Sequence, residues 1–68
     1  MILGIVEVHA GGKHLVLSTG QVFDIIPDEV CIAGRWCASQ HVSVRRINSE
    51  QFEIFNFERH ESIHALAA

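Results

Sequence analysis

From Ile2 to Phe57 the chain alternates short apolar stretches with clusters of turn formers: His9-Ala10-Gly11-Gly12-Lys13, Ser18-Thr19-Gly20 and Asn48-Ser49-Glu50. That rhythm predicts many short strands. Val42 and Val44 share one face of 41–47, and Phe52 and Ile54 share one face of 51–57, the period of two expected of half-buried strands. Ile2 to Val8 forms a first strand, in which Gly4 signals a bulge or the close approach of another backbone. Gly11 and Gly12 turn the chain back into 14–18, and Thr19-Gly20 leads it on into 21–26, completing a three-strand meander. Pro27 withholds a ladder hydrogen bond and ends the third strand. Val30 to Ala33 reads as another short extended piece. Residues 34–40 read either as its bulged continuation or as an irregular connection across one end of a barrel.

Helix competes with strand in two places. Asn48 followed by Gln51 has the form of a capping box, and Phe52, Phe55, Arg59, Ile63 and Leu66 are spaced roughly as on a helix. The β-favouring Phe and Ile residues over 52–57 tip that segment to strand. Good helix formers gather only after Glu58, so 58–68 is expected to form a short C-terminal helical tail behind a barrel domain spanning 1–57. The fold class is therefore mainly all-β. The architecture resembles the small five- to six-strand SH3-like or OB-like barrels, a likeness of strand count and turn spacing that implies no particular chemistry.

Composition adds a partner to this picture. A chain of 68 residues buries only about 60% of its unfolded surface. Yet 49% of its residues are apolar, and with the five glycines the share is roughly 56%, against a usual 45–50% on the same count. The surplus predicts association, with another copy of the chain or with a different protein. The net charge of −3 repels phosphate and disfavours non-specific nucleic-acid binding. No apolar run approaches the roughly 20 residues a bilayer requires, and no secretory leader pattern is present, so a soluble cytoplasmic protein is expected. Cys31 and Cys37 then read as reduced thiols serving as small buried residues.

Three groups of residues could carry chemistry. His60-Glu61-Ser62-Ile63-His64 fits H-E-x-x-H, a pattern that resembles zinc metalloproteases, where helical histidines one turn apart hold zinc. Only four residues follow His64, leaving no room for a downstream third ligand, so His60 and His64 are expected to lie on a solvated helix and to bind zinc or nickel at most incidentally. Cys31, Cys37 and His41 have no standard zinc spacing. Arg35, Trp36, His41, Arg45 and Arg46 mix cations with an aromatic. They suit either a protein-binding surface, with Trp36 at its centre and Arg35 and Arg45 fixing orientation, or the stacking platform of an OB-like or Sm-like single-strand nucleic-acid binder. No phosphate loop or nucleophile elbow appears. The expectation is a non-catalytic, homo-oligomeric binding module without a cofactor, acting as a regulator or accessory subunit. The ending Ala65-Leu66-Ala67-Ala68 resembles the bacterial trans-translation tag, a four-residue similarity that implies a degradation signal.

Overall fold

The computed structural model describes residues 2–67. Six antiparallel strands, β1 (Ile2–His9), β2 (His14–Leu17), β3 (Val22–Ile25), β4 (His41–Arg46), β5 (Gln51–Asn56) and β6 (Glu61–Ala67), close into a barrel in the order β1-β2-β3-β6-β5-β4. The chain thus forms two three-strand meanders. They are joined by a 3-10 turn at Pro27–Glu29, a four-residue helix α1 (Val30–Ala33) and an irregular stretch over 34–40.

The period-two pattern decides what each strand buries. Ile5, Leu15, Leu17, Phe23, Ile25, Val42, Ile54, Ile63 and Ala65 point inward and are buried together with Ala33 and Trp36. Phe23 meets Phe52 edge to face across this interior, with centroids 5.2 Å apart. Each large apolar side chain so buried contributes about 1.5–3 kcal/mol.

The expected barrel is present, and its short helix lies at Val30–Ala33, not at the C-terminus. Residues 61–67 of the expected helical tail form β6, which pairs with β3 through Phe23, Asp24 and Ile25 and with β5 along its whole length. Tertiary context outweighs helix propensity here: Ile63 and Ala65 alternate into the core, and without them the barrel would stay open between β3 and β5. Met1 and Ala68, at the limits of the expected domains, and with Ala68 the last position of the tag-like ending, lie outside the described residues.

Val30–Ala33 was expected to be extended. It is helical because Pro27 opens the preceding turn and Ala33 packs beneath it into the core. The Asn48 cap is real in chemistry but not in structure: Asn48 Oδ1 accepts from the backbone N–H groups of Glu50 and Gln51, both at 2.9 Å, within the β4–β5 hairpin loop. The bulge anticipated at Gly4 falls between Ile5 and Glu7. A close approach instead joins the two loops at one end of the barrel, where a Cβ on Gly12 would stand 2.4 Å from the Gly34 nitrogen and Gly12 has φ +108°.

Candidate interaction face

One register row runs around the outside of the second meander: Ile2 pairs with Ser43, Ser43 with Phe55, and Phe55 with Ser62. Phe57 follows two residues after Phe55 on the same face, and the two rings meet edge to face at 5.1 Å. The His60 ring stands 6.5 Å from that of Phe55. Ile2 is 64% exposed and Phe57 39% exposed, so the row presents apolar side chains to solvent and not to the core.

Ion pairs of both signs rim this row. Arg45 donates from Nε and Nη2 to Glu53 Oε1 at 3.0 and 2.7 Å. Glu58 accepts from the backbone N–H of His41 at 2.6 Å and lies 2.8 Å from its Nδ1. These hydrogen bonds hold the Glu58 carboxyl below the usual glutamate range, the contact with the His41 side chain being the largest cause.

The five residues expected to form a binding surface do not come together as one. Trp36 is only 3% exposed; it caps the barrel interior and donates from Nε1 to Glu61 Oε1 at 2.9 Å. Its burial removes both the stacking platform and the Trp-centred surface, because a ring packed in the core offers neither face to a ligand. Arg35 lies beside it and donates to Glu61 Oε2 at 3.0 Å. Arg46 reaches the carbonyls of Asn48 and Ser49 across its own hairpin. Only Arg45 and His41 border the aromatic row.

The H-E-x-x-H segment has lost the geometry its chemistry needs. His60 occupies a turn at φ +52° and His64 lies on β6. Four residues of strand span about 13 Å, against about 6 Å for one helical turn. No cluster of three or more metal-ligating side chains exists among the described residues. Glu61 instead joins the Trp36 indole to Arg59 and Arg35. The hydrogen bond from Trp36, followed by that from Arg59, lowers its carboxyl below the usual range. His64 is tied to Glu29, whose Oε1 accepts the His64 backbone N–H at 2.6 Å. Both cysteines, expected inside, are exposed free thiols, since neither α1 nor the 34–40 connection turns those positions toward the core.

Sequence reasoning missed Ile2, Phe55 and Phe57. The signal available was that 51–57 carries apolar residues in both phases of the alternation: Phe52 and Ile54 point inward, which leaves Phe55 and Phe57 for the opposite side. Compared with protein-family models, with curated proteins and with solved structures, the chain matches none.

Proposed function

We propose that the protein is a non-catalytic interaction module that pairs with a second copy of itself through the outer face of β4 and β5, and in that form serves as a regulator or accessory subunit. The observation that supports this reading is the outward row of exposed Ile2 and Phe57 with half-buried Phe55 between them, flanked by Arg45, Glu53, His41 and Glu58. Such an arrangement has the anatomy of an interface: aromatic centre, polar rim. Because the rim carries both signs, a two-fold axis can bring the cation of one copy toward a carboxylate of the other, so self-pairing meets no like-charge barrier.

Sedimentation at micromolar concentration tests it. The wild-type chain should sediment as a dimer, and Phe57→Lys, which removes a side chain worth about 1.5–3 kcal/mol when buried, should raise the dissociation constant at least tenfold. A wild-type chain that stays monomeric at all accessible concentrations overturns the proposal. Single-strand nucleic-acid binding stands second, because its stacking residue Trp36 is in the core and Arg35, His41 and Arg45 already face carboxylates.

A further inference from the structure

The opposite side of the barrel carries an open, solvent-facing cavity of about 440 Å³, lined by Lys13, His14, Asp24, Ile25, Pro27, Val30 and Cys31. Two features of the fold create it. The β2–β3 pair brings His14 opposite Asp24, and the turn at Pro27–Glu29 then lifts α1 away from the sheet end, so that Val30 and Cys31 form a facing wall.

The volume lies within the range of small-molecule sites, and the lining follows their usual plan of an apolar body with a few polar groups. Ile25, Pro27 and Val30 supply the apolar surface. His14 Nδ1 lies 2.7 Å from Asp24 Oδ1, so this carboxylate is already engaged. His14 Nε2 makes no hydrogen bond among the described residues. Lys13 has no ion-pair partner there either. A cation without a partner beside an apolar hollow complements one kind of occupant.

We propose that this cavity binds a small amphipathic carboxylate, whose apolar body lies against Ile25, Pro27 and Val30 while its carboxylate faces Lys13, with His14 as a second polar contact. The site is separate from the aromatic row on β4 and β5 and does not depend on self-pairing. Cys31 in the wall provides a direct readout, and Cys37, which does not line the cavity, provides an internal control.

Alkylation of the intact protein by iodoacetamide, followed by mass spectrometry of each cysteine, tests the assignment with sodium octanoate as probe and octanol as its uncharged counterpart. Millimolar octanoate should slow modification of Cys31 at least fivefold and leave Cys37 unchanged, octanol should protect several-fold less, and Lys13→Met should abolish the difference between the two probes. Equal effects on both cysteines, or no protection of Cys31, overturn the site. Equal protection by octanol and octanoate, or an unaltered preference in Lys13→Met, overturns the carboxylate assignment. Lys13 is exposed, and a circular dichroism spectrum of the variant identical to that of the wild type confirms that the fold is intact in that arm.

Discussion

Asn56 is the one polar side chain buried among the described residues, and it organises the end of the barrel through both of its polar atoms. Nδ2 donates to Gln40 Oε1 at 2.9 Å, while Oδ1 accepts from the backbone N–H groups of Glu58 and Arg59 at 3.0 and 3.1 Å. Removing it takes the side-chain acceptor from the two backbone donors and one of two donors from Gln40 Oε1, which keeps the Cys37 N–H, and empties a fully buried position. Asn56→Ala should therefore cost about 2–3 kcal/mol, read from urea midpoints at an unchanged slope. Glu61 makes a second prediction at this scale. Its carboxyl titrates below the usual range because Trp36 and Arg59 favour the charged form, so its contribution to stability is fully present above the unfolded-state value and is lost as pH falls through the folded-state value. Glu61→Gln should be less stable than the wild type at pH 7, and the gap should shrink as pH falls below about 4, measured as urea midpoints across that range. A gap that does not change with pH would assign Glu61 a purely steric role.

Elements were legible where the alternation of side chains agreed with local propensity. Ile2 to Val8, the 14–17 strand and both strands of the β4–β5 hairpin satisfy both criteria, and each lies where the pattern put it. The two segments read differently, 30–33 and 61–67, are those where context opposes propensity. Val30–Ala33 is rich in β-branched residues yet coils, because Pro27 sets its start and Gly34 lets the chain pass close to Gly11 and Gly12. Glu61–Ala67 has helix formers at its end yet extends, because two strands flank the gap it fills. Consequently the last segment is part of the domain and not an appendage. A chain terminated after Arg59 should fail to fold, losing both the dispersed amide resonances and the β-type circular dichroism of the full-length protein, whereas a separable tail could be removed with no such loss.

For the whole molecule, the count of apolar residues foretold correctly that a barrel of this size leaves some of them outside: Ile2, Val6, Val22, Ile47, Phe57 and Leu66 are exposed. Where they would lie was not legible. A single tryptophan among arginines is the composition of an interface centre, but a barrel end also requires one large plug, and Trp36 is used for that. The face that remains is assembled from the β4–β5 hairpin and from β1, a strand far from it in the sequence whose juxtaposition appears only once the ring is closed. If two copies meet on this face, thermal unfolding inherits a mass-action term. The melting temperature should rise with protein concentration for the wild type and stay constant for Phe57→Lys, as followed by calorimetry over a hundredfold dilution series.

The ring order β1-β2-β3-β6-β5-β4 gives each strand a neighbour on either flank, so little main chain stands available for strand addition. A visiting peptide could not enrol as a seventh member of the sheet, and recognition has to be read out by side chains. The same circularity removes the template on which cross-β stacking begins, which lets a chain so rich in valine, isoleucine and phenylalanine carry them on its exterior without inviting fibrils.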